Sequence, residues 1–460
     1  MAFWRELPGK ITKQQNGFGG GVNEGLPPLQ IAENQASAML NLVPSEGGAA
    51  TVRGGRSVLG TTLGAGIDYL GAHGTSHLLA AANGSMYKWD GSAWVSIGTV
   101  TSGLAGDSCE FMGYTWFVNG TDGDKWDGTT FSAITGLPAG TKFIKEDDNR
   151  LWALADKKLS YSALRKGEDW TTALDSGAID LENPYGEVTT SLQVFGGRVM
   201  IFTDHTFEEV YGTNPDNYQQ IRGSLQIGCV AHRSFQEIRG RTYWLCHDGV
   251  YRYVGGVAPQ KISTAVQGEI DSLNWSARSK ANAWVDGDWY VLAIPTGTNT
   301  EADTILVYDT IHDTWWVGDM GGAYPRQAVS FGGTLYVGAH TSYVYSLTGT
   351  TDAGTAISWS WTTGAKQENG FSRQDIYRAF QVVELPTGST LSLAVSPSVT
   401  GDSDWVTIGS MTAGTGYQKK AFYFSPGAAA NLNWMRLKVS GTGPATLHEL
   451  VREMRIKERV

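Results

Sequence analysis

Short apolar or aromatic runs alternate with polar turns along most of this chain, and between about 60 and 350 the alternation repeats. Seven hairpin-like cores begin at His77, Tyr114, Arg150, Arg198, Arg241, Asp288 and Thr334, spaced 37, 36, 48, 43, 47 and 46 residues apart. Each has a short aliphatic or aromatic strand, a polar turn and usually a second strand carrying Tyr, Trp or Val, as in the run from Arg241 to Tyr253. Tight-turn dipeptides precede several of them: Gly196-Gly197, Arg239-Gly240, Asp286-Gly287 and Gly332-Gly333. A period of roughly 40–50 residues with several strands per unit is the signature of a β-propeller. Stacked blades bury one another's faces, and large flat rings fill the space between them. About seven blades are expected over 60–350. The best helical spacing in this region is 263–274, with Ser263 or Thr264 as N-cap and Val266, Ile270 and Leu273 on one face.

The flanks read differently. Residues 1–59 hold Gly17-Phe18-Gly19-Gly20-Gly21 and Pro27-Pro28, and predict an irregular, flexible N-terminal arm lying over another domain or subunit. One short helix is expected in it over 31–42, from Ile31, Gln35, Met39 and Leu42. Residues 351–460 lose the repeat. Runs beginning at Ile357, Phe380, Leu391, Ala421 and Trp434 are separated by Gly, Pro and Ser turns, which predicts a small β-sandwich or jelly-roll. The stretch from Arg452 onward mixes both charges and suits a last strand or a solvated tail. The fold class is therefore all-β.

Composition sharpens this. The chain has 460 residues with 59 Gly, 17 Trp and 17% charged residues; it is rich in Gly and poor in charge against ordinary usage. An aromatic content of 11% excludes a disordered chain. With 35 Lys and Arg against 45 Asp and Glu, the net charge of −10 argues against a protein that grips a nucleic-acid backbone. Arg53-Gly54-Gly55-Arg56 and Lys419-Lys420 are isolated basic spots. No apolar stretch approaches the roughly 18–20 residues of a membrane span, and 1–13, with Arg5, Glu6 and Lys10, lacks the apolar core of a secretory signal. Cys109, Cys229 and Cys246 are unclustered and read as reduced, mostly buried thiols of a protein made in a cytoplasm.

Each candidate for chemistry has a plainer structural reading. His73 and His77 are near neighbours without a zinc-binding motif, and read as turn histidines. Asp122-Gly123-Asp124 begins like a calcium loop, but Trp126 stands where the next ligand is needed. Gly-Asp-Ser occurs at 106–108 and 401–403, with no histidine to activate either serine. The glycine run at 17–21 follows no strand and lacks a Lys-Ser/Thr sequel, so it is no phosphate cradle. Asp90-Gly91 and Asp127-Gly128 resemble turns of sugar-cleaving and sugar-binding propellers, and equally suit type I′ hairpins. The sequence assigns no catalytic, cofactor-binding or metal-ligating residue, and no cofactor. The chain reads as a part of an assembly, not as an enzyme.

The order of several segments resembles the tail-hub or nozzle proteins of short-tailed bacteriophages, also called packaged-DNA stabilisation or head-completion proteins. These segments are Arg53-Gly-Gly-Arg56-Ser-Val-Leu59, Asn83-Gly-Ser-Met-Tyr-Lys88, Asn149-Arg-Leu-Trp-Ala153 with Tyr161-Ser162, and Gly197-Arg-Val-Met-Ile-Phe202 with Glu209-Val-Tyr211. They continue through Gln226-Ile-Gly-Cys229, Asp248-Gly-Val-Tyr251, Lys261-Ile-Ser263 and Ile305-Leu-Val-Tyr-Asp309. The Gly-rich start at 17–28 departs from that pattern and leaves the upstream partner open. The resemblance implies a ring of about six copies below the portal and its adaptor, with a mount for the tail needle, spike or fibre proteins. It implies a virion protein assembled in the host cytoplasm, with double-stranded DNA passing the ring without specific binding and no membrane insertion. An acidic lumen would keep DNA from sticking. The other function class is a carbohydrate-binding or carbohydrate-cleaving propeller.

Overall fold

The computed structural model describes residues 4–6, 10–45, 47–181, 185–367, 373–401, 404–414, 416–424, 430 and 432–459. Seven four-stranded antiparallel sheets follow one another through the middle of the chain and form a β-propeller. Their innermost strands are Tyr69–His73, Asp107–Phe111, Phe143–Asp147, Ser191–Val194, Gln236–Ile238, Asn282–Asp286 and Pro325–Phe331, numbered here as blades one to seven. The seven cores seen in the sequence are the second and third strands of these blades. Each second strand is a nearly continuous apolar run, such as Arg241–Cys246, because it is covered by a blade on either side.

Two-residue turns with both residues in the left-handed region join first to second strands at Met112-Gly113, Asp148-Asn149, Arg239-Gly240 and Gly332-Gly333. Such turns match the strand twist, which is why Gly or Asn recurs there. Aromatic rings close the gaps between blades. Tyr69 meets Phe117 edge-on between blades one and two, Phe202 meets Trp244 edge-on at 5.4 Å between blades four and five, and Tyr243 stacks on Tyr290 between blades five and six.

The ring closes with a strand from outside the repeat. The outermost strand of blade seven is Ser57–Leu59, paired antiparallel with Val344–Ser346. Joining the two ends of the ring in one sheet ties its closure to the ladder hydrogen bonds.

The remaining strands form two further sheets. One orders Ala36–Leu40, Ser358–Thr363, Arg436–Thr442, Thr390–Ser396 and Val406–Thr412. The other orders Leu42–Pro44, Ala50–Val52, Thr446–Arg459, Arg373–Glu384 and Tyr417–Tyr423, with Trp4–Glu6 and Ile11–Asn16 also pairing along Thr446–Arg459. Their buried residues, among them Ile376, Val383, Leu393, Phe422, Leu437 and Leu450, belong to one core. The final stretch is thus a long strand.

The N-terminal segment differs from its expectation in two ways. No helix forms over 31–42: residues Ala36–Leu40 are a strand paired with Ser358–Thr363, and Asn41 turns the chain with φ +57°. Ile31, Met39 and Leu42 are buried as the spacing suggests, but Met39 lies in a strand whose partner Trp361 is more than 300 residues away, Leu42 pairs with Val52 in the other sheet, and Ile31 is in no strand. Nor is the glycine run a flexible arm. Phe18 is fully buried edge-on against Trp361, the Val22 amide donates to the Trp315 carbonyl, and a Cβ on Gly21 would sit 2.3 Å from that carbonyl oxygen. These glycines let the chain pass between its own propeller and sandwich. Residues 263–271 are helical as expected, as a tight turn followed by Gln267–Asp271, but neither Ser263 nor Thr264 is the cap. The Ser263 hydroxyl instead accepts from the Val250 amide.

Candidate functional site

All seven blades contribute to a cavity of about 350 Å³ on the propeller axis, on the face where the innermost strands begin. Its floor is built from side chains that cross between blades. Asp107, buried at the start of its strand, accepts from the Lys145 ammonium at 2.7 and 2.9 Å and from the Ile144 amide at 2.9 Å, so blade two grips blade three. His232 Nε2 lies 3.1 Å from Asp107 Oδ1, its Nδ1 lies 3.0 Å from Ser191 Oγ, and its ring stacks on Phe143. The Arg233 guanidinium reaches across the axis to the main-chain carbonyls of Asp68, Gly106 and Arg326, at 2.6, 2.8 and 3.1 Å. One arginine from the approach to blade five therefore binds blades one, two and seven.

Polar bridges of this kind occur at every blade junction. Tyr69 meets Ser108, Thr189 donates to the Asp156 carbonyl, Gln236 to the Ala283 carbonyl and Asn282 to the Pro325 carbonyl, while Gln327 accepts from the Leu70 amide. Directional bonds fix the angle between blades, which apolar packing alone leaves loose.

Ser191, His232 and Asp107 resemble a nucleophilic relay in outline. Their surroundings assign them another role. Ser191 is fully buried and its oxygen also takes the Gln193 side-chain amide at 3.1 Å. Burial pushes the Asp107 carboxyl up, but Lys145 and His232 outweigh it and hold the group well below the usual carboxylate range. Burial pulls His232 below its ordinary value, so its ring is neutral, with the Nε2 proton on Asp107 and Nδ1 accepting from Ser191. A buried serine facing a charge-neutralised carboxylate has no approach for a substrate.

Both shifts make the axis sensitive to acid. His232 prefers its neutral form when folded, so stability falls as pH drops below about 6.5, where the unfolded chain takes up the proton. The depressed Asp107 adds a second loss as pH falls below about 4. Asp107→Asn should cost about 2 kcal/mol at neutral pH and flatten the lower part of the acid limb in denaturant titrations. An unchanged acid limb would contradict the assignment.

The other candidates are structural. His73 and His77 face each other across a hairpin and pack on Trp126, with His73 Nδ1 on the Thr115 hydroxyl. Asp122 accepts from Thr101 and Asn119 and turns no ligand outward, while burial raises Asp124 to about 6. Ser108 bonds Tyr69 and no histidine; at 401–403, Asp402 and Ser403 lie outside the described residues. Asp90 and Asp127 cap four-residue loops, each Oδ1 accepting two amides and a hydroxyl, so these are not two-residue type I′ turns. Arg53 and Arg56 converge on Asp352 where the propeller meets the sandwich. Cys229 and Cys246 are buried, Cys109 is half-buried, and all three are free thiols.

A second surface stands out on the outer face of the larger sandwich sheet. Cross-strand partners Arg378 and Tyr423, Phe380 and Ala421, and Val382 and Lys419 share that face. Arg378 lies 4.5 Å over Phe380 and 5.9 Å from the Tyr423 ring, and Lys419 lies 5.0 Å over Phe380. Beside them Lys10 and Arg455 sit 4.8 and 5.9 Å over Tyr377. Tyr423 is 68% exposed. The segments 4–16, 373–384, 417–423 and 446–459 carry eleven Lys and Arg against six Asp and Glu, while the whole chain has a net charge of −10. The excess is spread over both faces of these strands: Arg452 is buried against Glu33, and Arg378 and Lys457 pair with Glu453 and Asp375. Sequence reading noted Lys419-Lys420 but missed the face, because its cations come from four separate segments.

Among the described residues no helix is long and apolar enough to cross a membrane. No protein-family model matches the chain, and no curated protein matches it in sequence. Solved propellers resemble it in fold. YCF48 bound to D1 peptide is 10% identical, with a TM-score of 0.43 over 66% of this chain and 97% of that one. BamB from Moraxella catarrhalis is 9% identical, with a TM-score of 0.41 over 75% and 97%. The Pan2 WD40 domain of Neurospora crassa is 9% identical, with a TM-score of 0.41 over 61% and 88%. The seven four-stranded sheets themselves make this chain an all-β protein with a β-propeller.

Proposed function

We propose that this chain is a structural ring protein of a short-tailed phage tail, a hub or nozzle of about six copies that mounts other tail proteins and surrounds the DNA path. The observation that carries this reading is the exposed face of the larger sandwich sheet, where Arg378, Lys419, Lys10 and Arg455 pack on Phe380, Tyr423 and Tyr377. An exposed sheet face rich in Arg, Lys, Tyr and Phe has the composition of an interface core, and the rest of the chain is strongly acidic. A contact between unlike patches is head-to-tail, and head-to-tail contacts close into rings when the rotation permits. The propeller axis is crossed by the Arg233 side chain, which ties blades one, two and seven together beneath the axial cavity. The conduit of this reading therefore runs between copies, where their acidic surfaces repel DNA. The adaptor above the ring and a needle, spike or fibre below it are the partners.

Reversing the charge with Lys419→Glu should abolish self-association while leaving the fold intact, since that side chain is exposed on this face. Sedimentation velocity at low salt should show a closed oligomer for the parent and a monomer for the variant. Salt should dissociate the parent. A parent that stays monomeric at every concentration, or a variant that assembles normally, would count against the ring. A glycan array in which the parent binds sugar and Asp127→Ala does not would favour the carbohydrate-directed alternative.

A further inference from the structure

Between the outer ends of blades four and five, on the same face as the axial cavity, lies a group of side chains that the ring reading does not use. The turn after Arg241–Cys246 places Cys246, His247 and Asp248 so that the sulfur, one ring nitrogen and one carboxylate oxygen all lie within 4.8 Å of one another. Cys246 is fully buried and its sulfur meets His247 Nδ1 at 3.2 Å. Asp248 Oδ1 is shielded from solvent without a hydrogen-bond partner, an expensive arrangement for an acceptor. Its other oxygen takes the Tyr251 hydroxyl at 3.0 Å and faces the Lys261 ammonium at 3.4 Å.

A second histidine completes the group from blade four. His205 sits in the turn between Val199–Phe202 and Phe207–Tyr211, and its ring centre lies 5.0 Å from that of His247. Its Nδ1 is held by Glu187 Oε1, which leaves Nε2 as the coordinating nitrogen. A carboxylate behind an imidazole is the arrangement that orients metal-binding histidines. A water-accessible cavity of about 610 Å³, lined by His205, His247, Asp248, Glu187 and Tyr251, leads to the cluster.

We propose that Cys246, His247, Asp248 Oδ1 and His205 bind one divalent cation of the zinc class, clipping blade four to blade five. The donor set is one thiolate, two imidazoles and one carboxylate, which suits a borderline-soft ion with four tetrahedral ligands at about 2.0–2.3 Å. Closing the site draws Cys246, His247 and Asp248 in from their spacing of up to 4.8 Å, and His205, which lies outside that group, swings in as the fourth ligand. The orphaned Asp248 oxygen gains a partner, and the Cys246 thiol gives its proton to water on binding. Lys261 stays on the oxygen that the ion does not take.

Cobalt(II) alone is the probe, added to the metal-free full-length chain, because a thiolate ligand produces a near-ultraviolet charge-transfer band. The parent and Cys229→Ser should each bind one equivalent with that band. Cys246→Ser should bind without the band. His205→Ala, which removes a half-exposed side chain outside the core, should weaken binding at least tenfold and leave the melting profile of the metal-free protein unchanged. Absence of cobalt binding, binding without a thiolate band in the parent, or equal affinity for parent and His205→Ala would each overturn the site. None of these readouts depends on whether the chain forms a ring.

Discussion

Arg233→Met should lower the stability of the protein by about 4 kcal/mol in denaturant titration, although the methionine can occupy much of the same space. The guanidinium donates to three carbonyls, those of Asp68, Gly106 and Arg326, which stand where blades one, two and seven approach the axis. Hydrogen bonds from an ionised donor contribute about 1.5–3 kcal/mol each, and three on one group do not add in full. Burial draws the arginine down to about 10, so it remains charged at neutral pH and the bonds stay charge-assisted. Lysine should restore only part of the loss, since a single ammonium cannot span three carbonyls as a planar fork does. A loss below about 1 kcal/mol would mean that apolar packing alone holds the ring closed.

The second large effect is expected at Asp352→Ala. This carboxylate accepts from Arg53 at 3.0 and 2.7 Å and lies 3.8 Å from Arg56, whose own guanidinium covers the Tyr345 ring. All three ionic side chains are nearly buried, at 12%, 7% and 5% exposure, so removing the anion leaves Arg56 without its counterion and Arg53 with Asp319 alone. The cost should be about 3–5 kcal/mol. It should also fall in a particular place. Asp352 follows blade seven, Arg53 also holds Asn41 and Asp319, and Arg56 donates to the Met320 carbonyl. These residues join the N-terminal segment, the propeller and the connection to the sandwich. Calorimetry should therefore show one transition in the parent and two in the variant, as the propeller and sandwich melt apart. A uniform shift of a single transition would contradict that placement.

The repeat was legible because each blade reuses one local device. An apolar strand, a tight turn and an aromatic-bearing strand recur at a spacing that neighbouring blades enforce through packing. The closing strand was not, since Ser57–Leu59 is three residues long and mostly exposed, with nothing to distinguish it from a loop. The strand at Ala36–Leu40 was hidden for a different reason. Apolar residues three or four apart fit a helix stripe, and only the distant Ser358–Thr363 makes them a sheet edge. The axial network shows the same limit in its chemistry. Gly106-Asp107-Ser108 drew attention as a possible nucleophile motif, whereas the residue that matters is the aspartate. Its partners Lys145 and His232 come from other blades, and no spacing along the chain reveals them. Asp90 and Asp127 were placed correctly in turns, but the capping geometry needed the loop length.

The central claim is that copies of this chain close into a ring, and its most direct test is a count. Quantitative mass spectrometry of purified particles containing this chain should measure it against the portal protein, which the proposed function takes to be a twelvefold ring. The ring reading predicts a ratio near one to two, about six copies per particle. Absence from the particles, or a ratio that matches no closed ring, would contradict it.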